Sequence, residues 1–176
     1  NLAFETAAGA FDMETSPRTA KALQILSGKA GIYGMIGGQV VDVESEGQPL
    51  SREKLDFIYR LKTSALIEAA MMVGAVLAGA SDEEVAAMER VAGDVGLAFQ
   101  IQDDILDVTS TLEVLGKPIH SDDKNNKTTY VTLEGLDKAK KDVEEISERA
   151  LSTLASLEHK NAFLEELIRM LITREK

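Results

Sequence analysis

Residues 93–108 read GDVGLAFQIQDDILDV and hold the densest chemistry in the chain. At 3.6 residues per turn, Gln100, Asp103, Asp104 and Asp107 fall at i, i+3, i+4 and i+7, which is one helical face. Leu97, Ala98, Phe99, Ile101, Ile105, Leu106 and Val108 cover the remaining sides, the pattern of a helix in an interior. Carboxylates taken into an interior without partners carry a heavy desolvation penalty, so something cationic must meet these three. Oxygen donors with no cysteine and no adjacent histidine suit a hard divalent ion, magnesium rather than zinc or copper. Asp103 and Asp107 stand one turn apart, about 6 Å along the axis, so their oxygens can converge on one ion or on a close group of ions. The competing reading is an exposed acidic helix end; the apolar flanks and Gln100 on the same face weigh against it. Gly93 and Gly96 continue that face backward and leave room for a groove suited to an elongated apolar ligand.

The elements that must position this face are helical almost throughout. The first helix is predicted over Leu2–Met13. Ser16-Pro17 gives a capping residue followed by proline at the first helical position and opens a long helix from Pro17 to near Val43. Its middle carries Gly28, Gly31, Gly34, Gly37 and Gly38, each at a cost of about 1 kcal/mol relative to alanine inside a helix. That concentration points to close approach of another helix or a ligand, or to a kink. Gln39 and Asp42 share a face at its end. After the loop 44–50, Ser51 caps a buried helix reaching Ala80 and interrupted by Lys62-Thr63. Lys62 has two readings there, a side chain that snorkels to the surface or a cation turned toward the acidic face. Ser81 with Asp82, Glu83 and Glu84 starts the helix that bears the aspartates.

Residues 110–129 lose all periodicity and hold Lys117 and Lys127, ten positions apart. Structureless segments of this length are uncommon and are often lids or binding loops; an ordinary surface loop is the plainer alternative. A short helix from Tyr130 to Glu134 and amphipathic helices over 136–157 and 161–174 read as scaffold, with His120 and His159 at the surface. No repeat, βαβ unit, glycine-rich phosphate loop or Ser/His/Asp set appears, and the fold class is all-α.

The chain has 176 residues, enough for one domain with a sizeable core. Nineteen Lys and Arg against 30 Asp and Glu leave a net charge of −11, which argues against nonspecific nucleic-acid binding. Cysteine is absent, which excludes disulfides and thiolate metal sites and fits a reducing, cytoplasmic location. The longest uninterrupted apolar run, 69–80, is too short to cross a bilayer, so no membrane span is expected. The chain enters its first apolar pattern directly at Asn1, with no initiator methionine or cap, as the interior of a longer protein would.

FQIQDDILD, preceded by GLA and followed by LGK, SD and NKTTY, resembles the second aspartate-rich region of the trans-isoprenyl diphosphate synthases of the farnesyl and geranylgeranyl type. The likeness extends to GGQVVD at 37–42 and YRLKTSALIEAA at 59–70, so four motifs fall in the family's order over nearly the whole chain. The resemblance implies the C-terminal portion of a single all-α domain, part of the isoprenoid synthase helical bundle around a central cavity. It also implies a Mg²⁺-dependent prenyltransferase that condenses an allylic diphosphate with isopentenyl diphosphate. By the match, Asp103 is the principal magnesium ligand of this half, Asp104 and Asp107 support it directly or through water, and Asp122 orients hydrated metal. Lys62, Lys117 and Lys127 hold the allylic diphosphate. Thr63 and Gln100 set oxygen dipoles near the developing cation, and Gln39 and Asp42 line the same cavity, Gln39 toward the diphosphate and Asp42 toward the metal.

Two departures from the family pattern stand out. The first aspartate-rich motif, the Gly-Lys-Arg segment and the paired arginines for isopentenyl diphosphate do not occur in these residues, so the 176-residue chain alone is expected to be inactive. His120 stands where relatives usually carry glycine before the Ser-Asp pair. The family forms dimers through helices corresponding to the opening of this chain, and the apolar 2–11 segment suits a homodimer interface; packing against the remainder of the fold explains it equally well. The alternatives are a noncatalytic helical modulating subunit and a relative of the terpene cyclases. The buried carboxylates and intact lysines disfavour the first, and the GK and NKTTY lysines disfavour the second.

Overall fold

The computed structural model describes residues 1–110, 127–172 and 174. Among the described residues every regular element is helical: α1 (Leu2–Met13), α2 (Pro17–Ala30), α3 (Met35–Glu44), α4 (Arg52–Tyr59), a π turn (Arg60–Ser64), α5 (Ala65–Ala78), α6 (Asp82–Thr109), α7 (Tyr130–Glu134), α8 (Leu136–Ser156) and α9 (Ala162–Ile172). Caps set several of the starts. The Thr19 N–H donates to Ser16 Oγ at 3.3 Å ahead of Pro17 at the first turn, and the Lys54 N–H donates to Ser51 Oγ at 3.3 Å. At α6 the bonds are reciprocal: the Glu84 N–H donates to Ser81 Oγ (3.2 Å) and the Ser81 N–H to Glu84 Oε2 (2.9 Å), so two otherwise orphaned donors are satisfied.

The 28 residues of α6, about 42 Å at 1.5 Å per residue, run through the core. Val91, Ala92, Val95, Ala98 and Ile101 are at most 1% exposed, which matches a helix apolar on nearly every side. The π turn and α5 pack on it, and α8 lays Ala139, Val143, Ile146, Ala150 and Leu154 against it, residues spaced three and four apart as one helical stripe. Ala22, Val76 and Val85 form a smaller cluster joining α2, α5 and the start of α6. Beside it Lys29 is paired with Glu68, 6% exposed, and with Glu89 at 2.5 Å, so the one buried carboxylate of α5 has its cation. At the other end α7 is anchored through Tyr130. Its hydroxyl donates to Asp142 Oδ2 at 2.6 Å, and the Arg52 guanidinium lies 4.2 Å from its ring centroid.

Three sequence expectations are revised by the packing. The helix expected from Pro17 to Val43 is two helices, because the chain turns sharply at 31–34; a Cβ on Gly34 would sit 1.9 Å from the Lys29 carbonyl oxygen. The helix expected from Ser51 to Ala80 is interrupted by the π turn, where the Ala65 N–H reaches back to the Arg60 carbonyl. The groove expected beside Gly96 is filled. A Cβ there would lie 2.3 Å from Ser64 Oγ, and one on Gly38 would lie 2.4 Å from the Lys62 backbone nitrogen. The two glycines therefore let α6 and α3 meet the π turn at backbone distance.

The 52–78 run, taken as one rod through the π turn, is long and apolar enough to cross a membrane by length and composition alone. The uninterrupted apolar stretch is shorter because Lys62–Ser64 and Glu68 divide the run. In this fold it packs against α2 and α6, with Ala65, Ala69 and Val76 buried.

Gly38→Ala and Gly96→Ala are each expected to destabilise the chain by about 1–3 kcal/mol through overpacking. Gly28→Ala, with nothing within 4 Å of its added Cβ, should be neutral or stabilising by up to about 1 kcal/mol. Urea midpoints decide this, and wild-type stability in Gly96→Ala would reject the close contact. A second expectation concerns acid. Burial works against ionisation of Asp142, but bonds from Lys138 and Tyr130 outweigh it and hold the carboxyl below its ordinary value of 3.8. Because the folded pKa is depressed, this contribution is complete above about pH 4 and is lost as pH falls through the folded value. Asp142→Asn should lower the urea midpoint at pH 7, and the gap from wild type should narrow below pH 4.

Candidate functional site

Gly38 places α3 on the π turn, and Asp42, one turn further along the same face, points to the residue the glycine touches. Lys62 Nζ donates to Asp42 Oδ2 at 2.6 Å. Lys127 Nζ lies 3.9 Å from Asp42 Oδ1, so a lysine of the π turn and a lysine following the 111–126 segment converge on one carboxylate. These side chains are partly open to solvent, Lys62 at 35% and Lys127 at 44%, while Asp42 is 16% exposed. Beside them is a cavity of about 330 Å³ lined by Gln39, Asp42, Lys127 and Thr128 and by the turn at 45–48. Thr63, half-buried, follows Lys62 in the π turn.

On α6 the residue that touches the π turn is Gly96, and Gln100, Asp103 and Asp107 continue its face at four, seven and eleven positions on. Asp104 is rolled about 80° away. It is 8% exposed, and its Oδ2 accepts from the Tyr59 hydroxyl at 2.5 Å and from the Tyr130 backbone N–H at 2.7 Å. Neutral donors, rather than a cation alone, therefore meet this carboxylate. Asp107 is 4% exposed, whereas the side chain of Asp103 is 36% exposed and paired with the Arg174 guanidinium. Arg174 also lies over the Phe99 ring, 3.7 Å from its centroid.

The expected site residues thus fall into two groups, Gln39, Asp42, Lys62, Thr63 and Lys127 at the α3 side, and Gln100, Asp103 and Asp107 along α6. Asp104 turns toward Tyr59 and Tyr130. Lys117, Asp122 and His120 lie outside the described residues. Among the described residues no three Asp, Glu or His side chains come together as a ready-made metal cluster, so Asp42, Asp103, Asp104 and Asp107 do not pool on one point. That arrangement fits magnesium better than a caged ion, because magnesium is usually held by one or two carboxylates with waters and phosphates completing its shell. Asp103 fits on a second ground: it already receives a cation.

Three residues of the site escaped the sequence reading. Tyr59 and Tyr130 gave a signal in principle, since a tyrosine in an apolar stretch needs a partner for its hydroxyl. Arg174 gave none, because its partners stand more than 70 positions away and the last helix reads as scaffold. His159 is at the surface as expected, where it lies 3.2 Å from Glu84. The larger of two cavities, about 610 Å³, runs past Gly93, so the room expected there exists, with Leu97 and Ala86 set among charged side chains in its lining. Among its charges, Arg149 forks onto Asp94 at 2.8 and 2.6 Å, and Glu68 is paired with Lys29.

A family model for polyprenyl synthetases matches residues 2–167. The chain is 44% identical over 150 residues to a dimethylallyltranstransferase of Fischerella ambigua, covering 85% of this chain and 43% of that protein. It is 38% identical over 162 residues to the chloroplastic geranylgeranyl pyrophosphate synthase of Catharanthus roseus, covering 92% and 45%. Among solved structures, the geranyltransferase of Helicobacter pylori in complex with magnesium and isoprenyl diphosphate superposes with a TM-score of 0.79 at 35% identity, over 96% of this chain and 55% of that one. The geranylgeranyl pyrophosphate synthetase of Pyrococcus horikoshii gives 0.84 at 26% identity, over 98% and 64%. The chain spans less than half the length of these curated relatives. Matched from residue 2 to residue 167 and helical in the same arrangement as these structures, it belongs to the polyprenyl synthetase family.

Proposed function

We propose that this chain supplies the allylic-diphosphate half of a magnesium-dependent short-chain prenyltransferase of the farnesyl or geranylgeranyl type. The observation that carries the reading is the convergence of Lys62 and Lys127 on Asp42 beside a cavity; in support, Gln100, Asp103 and Asp107 follow on α6 at helical spacing from Gly96, which touches Ser64 of the π turn. In the reaction the C1–O bond of an allylic diphosphate breaks and the departing diphosphate keeps the electron pair. The double bond of isopentenyl diphosphate then forms the new carbon–carbon bond, and a proton leaves. Charge grows on the departing group, so preorganised cations stabilise the transition state more than the ground state. Lys62 and Lys127, joined by Lys117, are assigned to the diphosphate, and Gln39 to the wall beside it. Thr63 and Gln100 turn oxygen dipoles toward the allylic cation. Mg²⁺, when bound, neutralises the diphosphate and weakens its bond to carbon; Asp103 is assigned as its principal holder here, with Asp107, Asp104, Asp42 and Asp122 supporting it directly or through water.

Asp42 also holds the two ammonium groups where the diphosphate needs them. A π turn at this point suits a functional role, since it turns consecutive side chains off the regular helical register. Cytoplasm is the proposed location and a homodimer the proposed assembly, through the apolar side of α1, where Leu2 is 74% and Phe4 37% exposed. The chloroplastic relative shows that plastid members exist.

Titration of the 176-residue chain with inorganic pyrophosphate in the presence of Mg²⁺ should show binding, weakened about tenfold by Lys62→Ala and by Lys127→Ala, as loss of a charge-assisted contact implies. Unchanged affinity in both variants removes the support for this site. In the complete synthase, Asp103→Asn is expected to lower kcat by about 10²–10³, read as labelled isopentenyl diphosphate incorporated.

A further inference from the structure

Arg174 approaches one turn of α6 from the C-terminal side, and all its described partners lie on that turn. Its guanidinium stacks on Phe99 and pairs with Asp103 Oδ1, it donates to the Phe99 carbonyl at 3.4 Å, and Gln102 Nε2 donates to the Arg174 carbonyl at 3.3 Å. The side chain is 20% exposed, so this is a lodged group rather than a trailing one. The seat is incomplete, because the Nε of Arg174 is buried and has no acceptor. Arginine normally grips a carboxylate with two parallel N–H bonds; here the fork is not used, and a single contact to Asp103 carries the charge.

We propose that Arg174 is a built-in counter-cation for Asp103, occupying the metal's place until magnesium carried by a diphosphate displaces it. The inference rests on the reading of Asp103 as a magnesium ligand. A guanidinium in hydrogen-bond contact with one oxygen of a carboxylate and a divalent ion on the same carboxylate repel each other strongly in a half-buried setting. The two cations therefore exclude one another, and the diphosphate decides between them by bringing the charge that magnesium alone does not. Without substrate, the arginine pairs with Asp103 and ties the chain after α9 to α6. With substrate, the guanidinium leaves Phe99 and Asp103 together. A site pinned in this way binds metal with an affinity reduced by the fraction of molecules in which the arginine is out.

Two measurements on the 176-residue chain test this. The first is calorimetric titration with Mg²⁺ and inorganic pyrophosphate. Arg174→Gln, which loses the charge, should bind about tenfold more tightly than wild type if the pinned form holds about nine-tenths of the molecules, and Arg174→Lys should stay near wild type. Affinity that is equal or weaker in Arg174→Gln overturns the proposal and makes the arginine a support for the metal site instead. The second is trypsin cleavage after Arg174, followed by intact mass. Mg²⁺ with pyrophosphate should speed loss of the last two residues several-fold in wild type, and Asp103→Asn should lose them rapidly without additions. A rate in wild type that Mg²⁺ with pyrophosphate leaves unchanged or slows overturns the latch. If Asp103→Asn binds Mg²⁺ and pyrophosphate as well as wild type, the metal reading itself fails and the latch with it; if only Asp103→Asn loses binding while Arg174→Gln matches wild type, the metal reading stands and the latch alone is rejected.

Discussion

Two glycines on two different helices close on the π turn at Arg60–Ser64, and the positions of the other candidate residues follow from that contact. Gly38 brings α3 onto the backbone of Lys62, and Gly96 brings α6 onto Ser64. A helix held at backbone distance cannot slide or rotate without a clash, so each side chain one turn along from the glycine is fixed with it. Asp42 follows Gly38 by four positions and meets Lys62. Gln100 follows Gly96 by four and Asp103 by seven, on the face that Gly96 turns to the π turn. The helix-propensity cost of glycine in both elements is offset by a precision that longer side chains would not allow.

The paired aspartates of α6 do different work because they are one residue apart. A step of about 100° separates Asp103, on the open side, from Asp104, on the buried side. Asp104 ties together the residue before the π turn, Tyr59, and the first residue of α7, Tyr130. Burial and the bond to Asp142 push the Tyr130 hydroxyl well above its ordinary pKa, so it remains a donor throughout the physiological range. Arg52 covers the Tyr130 ring and is itself held ionised against the opposing effect of burial by Asp56 and Glu134. Lys127 stands three residues before Tyr130, and Thr129 between them caps α7 through reciprocal bonds with Thr132. The chain that delivers Lys127 to Asp42 is thus anchored immediately downstream through Tyr130, whose hydroxyl stays protonated and whose ring carries the Arg52 guanidinium.

Much of this architecture is legible in the sequence where one physical signal dominates. Ser16-Pro17, Ser51 and Ser81 with Glu84 mark helix starts because few residue types satisfy a helix N-terminus, and the structure starts α2, α4 and α6 there. The apolar periodicity of residues 91–106 identifies the central helix for the same reason. What was not legible depends on contacts between distant segments. Glycine costs a helix the same whether it kinks, as at 31–34, or lets another backbone approach, as at 38 and 96, so the sequence alone could not separate the two. The π turn has no composition of its own. Asp104 reads like Asp103 until Tyr59 and Tyr130 are seen beside it, and Arg174 reads as the end of a scaffold helix until the chain folds back onto Phe99.

A chain of net charge −11 that is to receive a diphosphate faces an unfavourable overall field, and local arrangement has to overcome it. Asp42 shows how. Two ammonium groups held near one another repel, and without a partner they would swing apart into solvent when no anion is present. A largely buried carboxylate between them offsets that repulsion and keeps both near the cavity. The same logic applies in reverse at Asp103, where an acidic group stays in place because a guanidinium neutralises it. Lys62, Lys127, Asp42 and Asp103 are therefore already paired before any ligand arrives. Binding in such a site exchanges one set of ion contacts for another instead of creating charge in a buried place, so the desolvation penalty is met largely in folding rather than in binding. Affinity then depends on the difference between the outgoing and incoming partners, and the incoming diphosphate, with several negative oxygens, can engage Lys62 and Lys127 together where Asp42 offers only two.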